Sequence, residues 1–120
     1  MSSSGAEPSI FSRIVAREIP ATIVAETDRI IAFNDIHPQA PVHVVITTKT
    51  QQYRNVVELA AAEPALLAEL VDVARQIADE RTGGEFRLVF NTGPSAGQTV
   101  FHVHAHIMGG QLKEGSLGSH

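Results

Sequence analysis

Three histidines, His102, His104 and His106, stand at alternate positions in the apolar stretch Thr99 to Met108. Side chains alternate faces along an extended chain, so the three imidazoles share one face and Phe101, Val103, Ala105 and Ile107 share the other. The apolar face is built to pack into a core. Three neighbouring imidazoles are a poor solution to a packing problem, and the face they form calls for chemistry. Neutral imidazole is a competent nucleophile, because its ordinary pKa is about 6.5, and it needs no separate base to become reactive. Attack on phosphorus forms a labile bond that water can cleave in a second step, while a neighbouring imidazole hands a proton to the leaving group. His104 has an imidazole on each side and is the natural nucleophile.

A metal is the rival reading. Alternate strand positions lie about 6.6 Å apart, so His102 and His106 are about 13 Å apart at Cα, and one zinc with bonds of about 2 Å could hardly reach both outer rings. A pair of these histidines with His43 could still chelate. No Asp or Glu lies in the strand or in the loop before it to complete such a site. Neither a metal nor any other cofactor is expected. The chain has no cysteine, which excludes disulfides, thiolate-held iron–sulfur clusters and sulfur-bound zinc.

The segment before the histidines suits a phosphate. Asn91-Thr-Gly-Pro-Ser-Ala-Gly-Gln-Thr99 offers backbone N–H groups, amides at Asn91 and Gln98, and hydroxyls at Ser95 and Thr99. Gly93 and Gly97 allow close backbone approach. No lysine follows as it would in a P-loop. Alone the segment reads as a turn, and beside the histidine strand it reads as an anion cradle.

These groups need elements to hold them. Ile10, Phe11, Ile14 and Val15 mark a short helical stripe within Ile10 to Glu18, ended by Pro20. Ala21 to Glu26 and Arg29 to Phe33 read as a hairpin turning at Thr27-Asp28. Asn34 to Pro41 is a loop fixed by two prolines. Val42 to Thr48 is a β-branched strand with His43, Val45 and Thr47 on one face and Val44 and Ile46 on the other. Pro64 to Arg81 carries a helical stripe through Leu66, Leu70, Val73 and Ile77, widened by Leu67, Val71, Ala74 and Ala78 and stopped at Gly83-Gly84. Phe86 to Asn91 and Thr99 to Met108 are the remaining strands. Strands cluster around one long helix without β-α-β alternation, which predicts an α+β fold with a mostly antiparallel sheet and helices on one face.

Composition sets the limits. The 120 residues, 43% hydrophobic and 18% charged, suit one globular domain spanning 9–112. Residues 1–8 and 113–120 read as tails. Nine basic against thirteen acidic residues give a net charge of −4, with no basic run to attract nucleic acid or an anionic membrane. No apolar run is long enough to span a bilayer and no signal peptide is visible, so a cytoplasmic protein is expected.

His102-Val-His-Ala-His106-Ile-Met108 matches the pattern His-φ-His-φ-His-φ-φ, where φ is apolar. It resembles the histidine triad (HIT) nucleotide-binding family, specifically the Hint branch. Supporting segments are Ile10-Phe11, Arg17-Glu-Ile-Pro20, Ala32-Phe-Asn-Asp35, Pro38-Gln-Ala-Pro-Val-His43, Gly97-Gln98 and the exit Gly109-Gly110. The resemblance covers about Ile10 to Gly110. It implies a five-stranded antiparallel sheet with one long and one short helix per protomer, in a homodimer. It implies purine nucleoside monophosphates and their phosphoramidates as ligands, hydrolysed at the P–N bond through a nucleotidyl-histidine. A nucleotide-binding regulatory protein and a dinucleoside polyphosphate hydrolase are the alternatives.

By the same resemblance, His104 is the nucleophile, His106 a proton donor or hydrogen-bond partner near the leaving group, and His102 and His43 orient the cluster. Asn91, Gly97, Gln98 and Thr99 hold phosphate. Asp35 holds the ribose hydroxyls. Ile10, Phe11, Ile14, Phe33, Ile36 and Val45 wall the base pocket. Thr47-Thr48-Lys49 departs from the family's usual Ile-Pro-Lys and reads as a loop variation. Gln111 to Gly115 lacks the tryptophan-proline end of many members. His37 and His120 read as residues outside the site.

Overall fold

The computed structural model describes residues 7–113, so the expected tails at 1–8 and 113–120 fall almost entirely outside the described residues. The β-branched runs pair as a single five-stranded sheet. β1 (Ile23–Glu26) and β2 (Ile30–Asn34) form the expected hairpin. Thr27 shapes its turn: its N–H donates to the Ile30 carbonyl at 2.8 Å, and its hydroxyl oxygen accepts from the Ile30 N–H at 3.0 Å. β3 (Val42–Thr48), β4 (Arg87–Val89) and β5 (His104–Gly109) complete the order β1-β2-β3-β5-β4, with every neighbouring pair antiparallel.

Alternation along the strands divides the interior in two. Ile30, Ala32, Val44, Ile46, Ala105 and Ile107 face one side, where helix α3 (Pro64–Arg81) lays down Leu66, Leu70, Val73, Ala74 and Ile77. Ile31, Phe33 and Val45 face the other side and meet Phe11 and Ile14 of helix α1 (Ile10–Val15). Helices therefore lie on both faces, where the sequence pattern predicted one; α1 is too short to announce which face it covers. Helix α1 ends before the expected Glu18 because Arg17 turns left-handed at φ 62° and its N–H returns to the Ile14 carbonyl at 3.0 Å.

The sequence reading missed a second short helix, α2 (Val56–Ala62). Asn55 caps it by accepting the Glu58 N–H at 3.0 Å. Only Leu59 of α2 is buried, so the helix leaves no apolar stripe to read.

The histidine strand also starts later than the expected Thr99. Thr47 pairs with His104, and before that point the ladder gives way to bonds with loops and with the Thr47 hydroxyl. The Val100 carbonyl accepts from the Gln98 side chain at 3.0 Å and the Val103 N–H donates to the Tyr53 carbonyl at 2.9 Å. Phe101, expected in the core, is 50% exposed as a result. Thr47 and Thr48, read as a loop variation, are fully buried ends of β3. At the far end of β5, Gly109 lies so close to Thr82 that any Cβ there would clash with that side chain.

Candidate active site

A cleft of about 540 Å³ opens on the α1 face, within the range of small-molecule sites. β5 brings His104 and His106 into it, β3 brings His43, and the loop after β2 brings Asp35. The apolar wall is Ile10, Phe11, Ile14, Phe33, Ile36 and Val45, all six of the expected residues, joined by Ile19, Val89 and Met108. Ile10 and Ile36 stand 49% and 84% exposed at the mouth.

Hydrogen bonds fix which nitrogen of each imidazole carries a proton. Carbonyl oxygens only accept, so an imidazole nitrogen bonded to one must donate. His104 Nδ1 lies 2.8 Å from the His102 carbonyl and therefore carries the hydrogen, which leaves Nε2 with its lone pair. The next imidazole is wired the opposite way. The Gln39 N–H donates to His43 Nδ1 at 2.9 Å, so the neutral His43 carries its hydrogen on Nε2. That nitrogen stands 2.9 Å from His106 Nδ1, which accepts, so His106 keeps its hydrogen on Nε2. One strand thus presents a bare nitrogen at His104 and an N–H at His106, with ring centres 5.4 Å apart.

Neutrality of the cluster follows from burial. Burial holds the pKa of His43, His102 and His104 below the ordinary imidazole value. His106 falls furthest, to about 4, through burial first and then the neighbouring His104 and His43. The Asp35 carboxylate pulls the other way on His43, His104 and His106.

His102 does not line the cleft. It is fully buried beneath α1, with its ring centre 5.7 Å from that of Phe11. Its Nε2–H donates to the Thr48 carbonyl at 2.6 Å, and its Nδ1 lies 2.6 Å from the Ser9 hydroxyl. What it offers the site is its main-chain carbonyl. Sequence reasoning missed Ser9 and Gln39, because a serine before a helix reads as an ordinary cap and a loop N–H carries no side-chain signal.

The phosphate loop is more self-contained than expected. The N–H groups of Ala96 and Gln98 return to the Gly93 carbonyl, that of Gly97 to Pro94, and that of Gly93 to the Gln98 side chain at 2.9 Å. Those four amides close the loop on itself instead of facing an anion. Gln98 is 3% exposed, and its amide nitrogen also donates to the Arg54 carbonyl at 2.6 Å. Gln98, expected on phosphate, here bonds within the loop and to the Arg54 carbonyl and is not among the residues that line the cleft. Asn91, Gly97 and Thr99 do line the cleft. Gly97 sits at φ 95°, a conformation that side-chain-bearing residues rarely adopt.

Asp35 Oδ1 accepts the His37 N–H at 2.7 Å, while Oδ2 stands 3.3 Å from His43 Nε2 and 3.9 Å from His106 Nδ1. The fold therefore supplies the carboxylate that the histidine strand lacks, and Asp35, His43 and His106 could share one cation with ligand atoms within 4.8 Å of one another. Tetrahedral zinc with Zn–N bonds of about 2.0 Å spaces its ligands by roughly 3.3 Å. The 2.9 Å between His43 and His106 fits a shared proton better. His37, read as lying outside the site, lines the rim of the cleft.

A family model for the HIT domain matches residues 16–112. An uncharacterised HIT-like protein of Synechocystis is 50% identical over 88% of this chain and 93% of its own length. The purine nucleoside phosphoramidase of Escherichia coli is 40% identical over 88% of this chain and 90% of its own. Among solved structures, a HIT family hydrolase from Clostridium thermocellum superposes with a TM-score of 0.82 at 40% identity, covering 88% of this chain and 93% of that one. With the three histidines, the antiparallel sheet and these matches in hand, the chain belongs to the HIT family, in its Hint-like branch.

Proposed function

We propose that this hydrolase cleaves the P–N bond of purine nucleoside phosphoramidates. His104 Nε2 bonds to the α-phosphorus and the bond to nitrogen breaks; the departing nitrogen takes a proton from solvent and leaves as the amine, oriented by a hydrogen bond from the His106 Nε2–H. Water then cleaves the nucleotidyl–His104 bond and releases a nucleoside monophosphate. Asn91, Gly97 and Thr99 receive the phosphate, Asp35 the ribose hydroxyls, and the apolar wall the base. Two copies of the chain form the working homodimer.

The observation that carries this reading is the opposed wiring of two adjacent imidazoles in one cleft. A nucleophile needs a bare nitrogen and a departing nitrogen is oriented by an N–H, and the two stand side by side. The phosphoramidase activity named for the Escherichia coli relative supports the choice of bond.

The test is acid-quenched single turnover with adenosine 5′-phosphoramidate. Mass spectrometry of the quenched protein should show a nucleotidyl adduct, and His104→Ala should lose both adduct and turnover. Chelation should leave the rate unchanged. Persistent turnover in His104→Ala overturns the assignment, and a rate that chelation abolishes and zinc restores favours a metal at Asp35, His43 and His106.

A further inference from the structure

We infer that Ser9, outside the cleft, is a positioning residue that holds His104 in its nucleophilic tautomer through His102. This rests on the reading of His104 as the nucleophile.

A hydroxyl has one hydrogen to give and lone pairs to receive with. Ser9 Oγ receives the Ser12 N–H at 3.0 Å, which caps α1. Its own hydrogen points to His102 Nδ1 at 2.6 Å. The other nitrogen of that ring donates to the Thr48 carbonyl at 2.6 Å. Both ring nitrogens of a fully buried imidazole are thus committed, one as acceptor and one as donor. Reversing the tautomer would set a bare Nε2 against the Thr48 carbonyl and an N–H against Ser9. Displacing the ring from these two bonds is expected to shift residue 102, whose carbonyl accepts the His104 Nδ1–H at 2.8 Å.

Ser9 is itself strapped down. Gln51 Oε1 accepts the Ser9 N–H and the Ser12 hydroxyl, each at 2.7 Å, and Gln51 Nε2 donates to the Glu7 carbonyl at 2.8 Å. The helix so fastened carries Phe11, whose ring packs 4.8 Å from that of His104. Base-binding wall and nucleophile are joined at one hydroxyl.

The rival is that Ser9 is a helix cap and nothing more. Two substitutions separate these. Ser9→Asp keeps an excellent cap, but an ionised carboxylate only accepts and cannot donate to His102 Nδ1. Ser9→Thr keeps both functions. The readouts are imidazole ¹⁵N–¹H correlation spectra of the ligand-free protein, the single-turnover rate on adenosine 5′-phosphoramidate, and Tm. In wild type and Ser9→Thr, His104 should show the Nδ1–H pattern. In Ser9→Asp that pattern should be lost or mixed, and the rate should fall about 10- to 100-fold, the scale of a small misplacement of a reacting group. A His104 pattern and rate unchanged in Ser9→Asp, whatever happens to Tm, overturn the inference. The spectra need no turnover, so they stand apart from the outcome of His104→Ala, which tests the nucleophile itself.

Discussion

The two faces of the sheet are finished by different physics. On the α3 face, Leu66, Leu70, Val73 and Ile77 pack against Ile30, Val44, Ile46, Ala105 and Ile107 in an apolar layer. On the α1 face, Phe11, Ile14, Ile31, Phe33 and Val45 pack beside four imidazoles whose buried nitrogens are assigned one by one to partners. Among the described residues no buried side-chain polar atom lacks a hydrogen bond. The first face is held by non-directional burial, which tolerates change in shape and answers to volume. The second is held by directional bonds, where exchanging one donor for an acceptor rewires a neighbour.

The sharpest way to separate the faces is a pair of alanine substitutions. His104→Ala should reduce turnover by about 10³-fold or more, as loss of a nucleophile does, while stability changes by about 1 kcal/mol or less. Leu70→Ala, on the other face and fully buried, should lose about 2–5 kcal/mol of stability and leave kcat per folded molecule unchanged. Chemical denaturation and turnover per folded molecule, with the folded fraction taken from circular dichroism, read the two effects. A large loss of stability in His104→Ala, or a changed kcat in Leu70→Ala, would show that the faces are coupled.

Acid should also distinguish them. The four imidazoles are held neutral by burial, with His106 near pKa 4. Below about pH 6.5 the unfolded chain binds protons that the folded chain refuses, so stability is full above that pH and falls as pH drops toward 4. His106 alone contributes on the order of 3 kcal/mol to that loss, since a tenfold change in proton affinity is worth about 1.4 kcal/mol. Denaturant titrations between these limits should show His106→Gln with a shallower dependence on pH. Leu70→Ala should lower the whole curve and leave its slope unchanged.

The contrast also explains what could be read from the residues alone. The α3 face was legible because burial writes itself as periodicity: helix Pro64–Arg81 and strand Val42–Thr48 stand where the pattern put them. The three histidines were legible as a group because their alternation is as regular as any core stripe. Their individual roles depend on long-range partners. Ser9 reaches His102 across 93 residues, and His43 reaches His106 across 63. Gln98 shows the same limit from the other side. Its amide suits a phosphate as well as it suits three backbone groups, and only the folded loop decides between them. Helix α2, with one buried leucine, had no pattern to read.

The smallest expected effect bears on where the polar face ends. Asp35 serves two sides: Oδ1 fixes the rim by accepting the His37 N–H, and Oδ2 stands beside His43. Asp35→Asn keeps an acceptor for the rim and removes the charge. On the proposal that Asp35 holds the ribose hydroxyls, weaker bonds there should raise KM by about fivefold, near 1 kcal/mol, and a 2′-deoxy substrate should feel less of it. The carboxylate raises the pKa of His43, His104 and His106, so its loss should move the acid limb of the rate to still lower pH. A KM effect without the pH shift would make Asp35 a substrate contact alone. Both together would make it part of the network that keeps the imidazoles in register, and would extend the wired face from the strand to the rim of the cleft.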